Sequence, residues 1–325
     1  MINLILTREC AKRCSFCFTG DYTKETEISL DFVDRLFNQF SDIDSVNILG
    51  GEPTQHPKFT QIIDKVAIEY NTQYMLISNL LFPKRILEWI VKNRINRTGI
   101  LANGMELTTK DSRFKLYKKN WNTIYNESNG EDICIAITIA KNHSPEYFKE
   151  YFKILKNELA GIPTIRIGLD LSNTDIINNT MYGDSIRAIQ EELPVSSIIF
   201  DCQIPPCIFN CDLNKVLHNY SNMDYLCNNV ALDIFYDSSA IFGYCVQNIR
   251  TEDIFDYDST NELKLEFRRQ YKEQERETLY KEISDVCKSC GYYSDNTCNS
   301  LCMGCHSGKQ GAERATLPTL PSKPL

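Results

Sequence analysis

Short apolar runs alternate with longer stretches that carry apolar residues every three or four positions through the first two-thirds of the chain. The runs INLILT (2–7), SVNILG (45–50), QYMLISN (73–79), ICIAITIA (133–140), TIRIGLDL (164–171) and SIIFDC (197–202) are bounded by polar, Gly or Pro residues and read as strands. Between them, SLDFVDRLFNQF (29–40), PKFTQIIDKVAIEY (57–70) and SPEYFKEYFKILKNEL (144–159) have helical spacing, with Ser or Pro at their starts. This alternation predicts an α/β fold of parallel strands joined by crossover helices. Six units make a partial, open (β/α)6 barrel over residues 1–203. Residues 95–131, with a further strand and the helical SRFKLYKKNWNTIYN, read as an insertion between the third and fourth units.

The pattern changes after residue 203. Strand–helix alternation stops and cysteines recur every few residues, so 204–310 reads as a small cysteine-rich domain with a β-hairpin and a helix. ALDIFYDSSAIFGYC (231–245) is the hairpin, and NELKLEFRRQYKEQERETLYKEIS (261–284) is a charged amphipathic helix. Residues 311–325 contain Pro without periodicity and read as a flexible tail.

A hydrophobic content of 42% is ample for a packed core, while a net charge of -8 supplies no basic face for nucleic acid. The apolar start, Met1 to Leu6, is too short for a signal-peptide core, and no run approaches a membrane span. The expectation is a cytoplasmic protein. In that reducing compartment fourteen cysteines point to metal ligands or catalysis rather than disulfides. Three stand at Cys10, Cys14 and Cys17, Cys134 lies mid-strand as an expected core residue, and ten fall between Cys202 and Cys305.

The spacing Cys10-x3-Cys14-x2-Cys17 directly after a first strand supplies three thiolates where zinc or a cubane cluster takes four ligands. It resembles the signature of the radical S-adenosylmethionine (radical SAM) superfamily. That resemblance implies a 4Fe–4S cluster whose fourth iron is left for the amino and carboxylate groups of SAM. An electron then cleaves the sulfonium, and a 5′-deoxyadenosyl radical takes hydrogen from substrate. The competing reading is a zinc site completed by a cysteine from elsewhere. Phe16, just before the third cysteine, is similar to the family's adenine-contacting aromatic. LGGEP (49–53) after the second strand is similar to its GGE motif, in which Gly50 and Gly51 allow close approach and Glu52 meets the methionyl ammonium. Ser78 and Asn79 in LISNL stand where relatives approach the ribose, and Thr138 where a serine commonly ends the fourth strand. All three also fit ordinary strand ends.

The C-terminal third resembles a SPASM or twitch domain, which implies one or two auxiliary 4Fe–4S clusters. By that resemblance Cys207 (or Cys211), Cys227, Cys245 and Cys302 hold an inner cluster, and Cys287, Cys290, Cys298 and Cys305 an outer one. The hairpin glycine of that pattern is Ala240 here, and seven residues separate Cys290 from Cys298 where five are usual. A zinc-ribbon-like knot also fits Cys287-x2-Cys290 with Cys302-x2-Cys305.

The resulting expectation is a radical SAM enzyme served by an external one-electron reductant of the flavodoxin or ferredoxin kind. Its substrate is a peptide or protein side chain that is oxidised, cross-linked or epimerised, as in ribosomal-peptide maturation. The alternatives are a small molecule (a sugar, an aminocyclitol or a pterin precursor) and a non-enzymatic metal scaffold. Nothing before Cys10 reads as a separate peptide-recognition domain, which weighs against the peptide class. Asp201 and Cys202 end the last barrel strand, where α/β barrels place reactive groups. Asp201 is the candidate base for a substrate proton, and Cys202 is either a cluster ligand or a hydrogen donor; both also fit simple strand-end roles.

Overall fold

The computed structural model describes residues 1–14, 17, 27–140, 143–169, 181–194, 196–200, 232–242, 249–282 and 294. Strands β1 (Ile2–Ile5), β2 (Ser45–Leu49), β3 (Gln73–Ser78), β4 (Arg97–Ala102), β5 (Ile133–Ile139), β6 (Thr164–Leu169) and β7 (Ser197–Phe200) run side by side in chain order, every pair parallel. Helices α1 (Leu30–Gln39), α2 (Phe59–Asp64), α3 (Lys84–Lys92), α4 (Ser112–Ser128), α5 (Pro145–Glu158) and α6 (Met181–Glu192) fall between them. Their starts follow from local chemistry. Ser29 Oγ accepts from Phe32 N–H and caps α1, Asp111 caps α4, and Ser144 followed by Pro145 opens α5.

Period-two alternation sorts the strands into two faces. In β5, Ile133, Ile135, Ile137 and Ile139 are buried in the main core, with Cys134, Ala136 and Thr138 half-buried between them. The same core takes Leu4, Ile48, Leu76, Ile165, Ile167 and Ile198 from the other strands and apolar residues from all six helices. Helices packed on one face only of a parallel sheet make it curl, leaving the second face to line an open interior. Cys134 belongs to that second face, so it is not the core cysteine its apolar neighbours predicted.

Two expectations about organisation change. Residues 95–131 are not an insertion, because they supply β4 and α4, and β4 pairs with both β3 and β5. The first two-thirds therefore holds seven parallel strands rather than the six of a (β/α)6 barrel. The expected boundary near residue 203 is also not a boundary of the sheet. β8 (Leu232–Ile234) lies parallel to β1 on its free side, and β9 (Ala240–Ile241) and β10 (Arg250–Thr251) follow antiparallel. β8 and β9 are the predicted hairpin, and the predicted helix is α7 (Thr260–Glu282). Asp42, just past α1, accepts from Thr260 N–H and Asn261 N–H and so ties α7 to the first unit. No helix among the described residues is long and apolar enough to cross a membrane.

On the second face a polar row crosses the junction of β8, β1 and β2. Asn3 pairs in register with Asn47 and Asp233. Asn47 Nδ2 donates to Asn3 Oδ1 at 2.8 Å, and Asn3 Nδ2 donates to Asp233. Burial pushes the Asp233 carboxyl up to about 7, against the opposing pull of the Asn3 amide. The folded chain thus keeps a proton that an unfolded aspartate releases near pH ~4. The stabilisation is full below about pH 4 and is lost as pH rises through about 7, a span worth up to about 4 kcal/mol. Asp233→Asn should flatten this fall and leave the variant more stable than the parent at pH ~8. Denaturant midpoints across that range check it; parallel profiles for the two proteins would show that Asp233 titrates as an ordinary aspartate.

Candidate active site

The C-terminal ends of β1, β2 and β3 meet at one place. Beyond the strands, Gly51 N–H donates to Thr7 O and Glu52 N–H donates to Glu9 O, each at 2.7 Å. These bonds bring the Gly50–Gly51–Glu52 turn directly onto the backbone leading into Cys10. A Cβ on Gly50, which sits at φ +149°, would stand 2.3 Å from Thr7 O, and one on Gly51 would stand 2.4 Å from Glu9 O. The close approach that the glycines permit is therefore made first of all to the chain's own cysteine loop.

Glu52 is 1% exposed. Its Oε1 accepts from Thr54 Oγ1 at 2.5 Å, Thr54 N–H at 3.3 Å and Ser78 Oγ at 2.8 Å, and its Oε2 from Asn79 N–H at 2.7 Å. Burial raises its pKa, and these donors pull the other way. Every donor is neutral, and no ion pair to Glu52 forms among the described residues. Ser78 is committed on both sides, because its Oγ also accepts from Leu80 N–H at 3.0 Å and so supports Leu80 at φ +56°. Asn79 Oδ1 accepts from Leu81 N–H, which leaves its Nδ2 aimed at Cys10 Sγ, 3.6 Å away.

Cys10, Cys14 and Cys17 are all half-buried, and Cys17 N–H donates to Cys14 O in the turn between them. Burial pushes the Cys10 thiol up to about 11 and raises Cys14 as well, with Lys12 pulling the Cys14 thiol the other way. Among the described residues no group of three His, Cys, Asp or Glu side chains is poised for a single metal ion. A cubane asks for less convergence, since each thiolate binds a different iron.

Five further residues gather at this end that the sequence patterns did not mark. Lys12, 4% exposed, donates from Nζ to Asn103 O at 3.2 Å and Asn103 Oδ1 at 3.3 Å. Burial lowers its pKa, opposed by Cys14 and Glu106. Glu106, at φ +64°, donates its N–H to Tyr147 Oη, and the buried His143 ring stacks on Tyr147 at 4.6 Å between centroids. Asn103 was hidden because β4 was read as part of an insertion, and Lys12 because a Lys-Arg pair reads as solvated. Thr138 lies nearby on β5, the fifth strand rather than the fourth, with its N–H on Met105 Sδ at 2.9 Å. Phe16, Asp201, Cys202, Cys207, Cys211, Cys227, Cys245, Cys287, Cys290, Cys298, Cys302 and Cys305 lie outside the described residues.

The sequence profile of the Radical SAM superfamily matches residues 4–171, just over half of the chain. The chain belongs to the radical SAM superfamily. Membership implies an enzyme that uses SAM and a 4Fe–4S cluster. Among solved structures, this radical SAM chain is similar to Streptococcus suis SuiB bound to S-adenosylmethionine, with a TM-score of 0.58 and 14% identity over 90% of this chain and 70% of that one. It is also similar to SuiB bound to the precursor peptide SuiA, with a TM-score of 0.56 and 15% identity over 79% of this chain and 62% of that one. SuiB alone gives a TM-score of 0.54 and 16% identity, with 64% of its length covered. These likenesses show a shared fold. The chain thus spans about two-thirds of the SuiB structures. A comparison with curated proteins gave no match.

The residues present fit the groups that a radical SAM enzyme takes. Three thiols suit iron–sulfur ligation, and a buried carboxylate held only by neutral donors suits an ammonium. Gly51→Ala should force the two backbones apart and break the Gly51–Thr7 bond, at a cost of about 1–3 kcal/mol. The expected result is a lower denaturation midpoint and less iron taken up at the N-terminal cysteines. Full iron uptake together with unchanged stability in this variant would mean that the turn does not brace the cysteine loop.

Proposed function

We propose that this radical SAM enzyme modifies a peptide or protein side chain by oxidation, cross-linking or epimerisation, in the manner of ribosomal-peptide maturases. The observation that carries the radical SAM site is the docking of the Cys10–Cys17 loop onto the turn holding the buried Glu52. In this reading Cys10, Cys14 and Cys17 each ligate one iron of a 4Fe–4S cluster and leave the fourth iron open to SAM. When bound, the cluster supplies the electron that cleaves SAM to the 5′-deoxyadenosyl radical, which takes a hydrogen from substrate.

The chain's own residues position the partners. Glu52, fixed by Thr54, Ser78 and Asn79, receives the methionyl ammonium of SAM; a cation there offsets the burial that raises its pKa. Asn79 directs its amide toward the Cys10 sulfur. Thr138, together with Phe16, completes the nucleoside side of the pocket. The peptide class is supported by the likeness to SuiB, one structure of which holds the precursor peptide SuiA.

The C-terminal cysteines complete the proposal. Cys207 or Cys211 with Cys227, Cys245 and Cys302, and Cys287, Cys290, Cys298 and Cys305, hold auxiliary 4Fe–4S clusters. Asp201 takes the proton released when a substrate radical is oxidised, and Cys202 serves as ligand or hydrogen donor. A flavodoxin- or ferredoxin-like protein delivers the electron.

Anaerobically purified protein should carry about twelve irons, four per cubane. About eight would reduce the auxiliary set to one cluster, and about four with stoichiometric zinc would favour a zinc ribbon. Replacing Cys10, Cys14 and Cys17 with Ala should abolish 5′-deoxyadenosine formation while leaving the C-terminal metal in place. Continued 5′-deoxyadenosine release from the triple variant would sink the site assignment. Radical transfer to a sugar or another small molecule, with none to peptides, would overturn the substrate class.

A further inference from the structure

The three residues between the first two cysteines are Ala11, Lys12 and Arg13, and the middle one turns inward. A lysine that is 4% exposed is unusual, because an ammonium is costly to desolvate unless anions and acceptors replace the lost water. Lys12 has such replacements on two sides. Asn103 offers its main-chain and side-chain oxygens at 3.2 and 3.3 Å, fixing the ammonium to the end of β4. On the other side lies the Cys14 thiol, whose pKa the ammonium pulls down against the effect of burial. Glu106 faces the same group of atoms, close enough to act electrostatically on Lys12, Cys14 and His143. Its backbone occupies the left-handed region at φ +64°, held there by the bond from its N–H to Tyr147 Oη. Lys12 and Glu106 thus act with opposite sign on a single cysteine of the loop.

A strut between the loop and β4 would not require a charge. An apolar side chain of the same length would brace the loop without the desolvation cost. The charge itself has a use next to a group that changes charge. Reduction adds one electron to an iron–sulfur cluster, and cluster potentials depend on nearby charge and on hydrogen bonds to the sulfurs. A buried ammonium favours the reduced form, and a carboxylate opposes it. Both act at short range and with little screening by salt.

We propose that Lys12 and Glu106 form a charge pair that sets the reduction potential of the cluster, Lys12 raising it through Cys14 and Glu106 lowering it. This rests on the reading of Cys10, Cys14 and Cys17 as cluster ligands. Both are positioning residues, since they act through the cluster's ligand and not on the substrate. Asn103 holds the ammonium in place, so the favourable charge is present before the electron arrives.

The test uses the full chain reconstituted anaerobically with iron and sulfide. Iron content is measured first, and a reductive titration is then followed by electron paramagnetic resonance. The signal of interest is the one missing from the Cys10→Ala, Cys14→Ala, Cys17→Ala variant. Lys12→Met should move its midpoint to more negative potential, Glu106→Gln should move it to more positive potential, and Lys12→Arg should return it toward the parent value. Opposite shifts at intact iron content are a signature that a purely structural role does not produce. Midpoints that stay at the parent value, or move the same way in both charge-removing variants, overturn the proposal while leaving the ligand reading intact. If Lys12→Met fails to hold the cluster, Glu106→Gln decides alone, and an unshifted midpoint in it overturns the proposal. A triple cysteine variant that keeps every signal of the parent overturns the ligand reading, and this proposal with it.

Discussion

Two main-chain hydrogen bonds, Gly51 N–H to Thr7 O and Glu52 N–H to Glu9 O, hold the functional end of the molecule together. They extend the pairing of β1 and β2 past the ends of both strands. Each is worth only about 1 kcal/mol by itself. Their importance is geometric, because they form only where neither glycine has a side chain. The cysteine loop is thereby carried on an extension of the sheet. Glu52 is delivered to Ser78 and Asn79 on the next strand end, and Asn79 reaches back to Cys10. A contact as small as a missing Cβ therefore sets the relation between a carboxylate, an amide and three thiols.

The two faces of the sheet divide the work. The helix-covered face is built from isoleucine and leucine packed against seven helices, and this burial supplies the driving force for folding. The opposite face carries a small apolar cluster of Ile5, Leu49, Phe235 and Ile241, with the Asn47–Asn3–Asp233 row beside it. Polar groups on this face cost stability, and their retention is what a reactive interior requires.

Much of this was legible locally, and what was missed has physical causes. Six strands announced themselves by alternation, and the cysteine triplet by a spacing of a few residues. β4 was misassigned because its helix does not present a clean apolar stripe. α4 buries Asn120 and Ser128 among its aromatics, Asn120 bonding Leu80 O and Phe82 O and Ser128 bonding Ile124 O. β8 is three residues long and pairs with a strand some 230 positions away in sequence, which no local pattern encodes. Lys12 defied the rule that adjacent basic residues are solvated. Its burial is decided by Asn103, just past the end of a strand that the pattern had set aside.

β1 lies between β2 and β8, so the strand that launches the cysteine loop has one neighbour from early in the chain and another from late in it. During synthesis β1 remains an open sheet edge until the residues near 234 have left the ribosome. Through that interval the row of Asn3 and Asn47 faces water, with no carboxyl to meet it. Completion of the sheet at β1 is therefore a late event in the life of the polypeptide, and a motif made early waits for a strand made late.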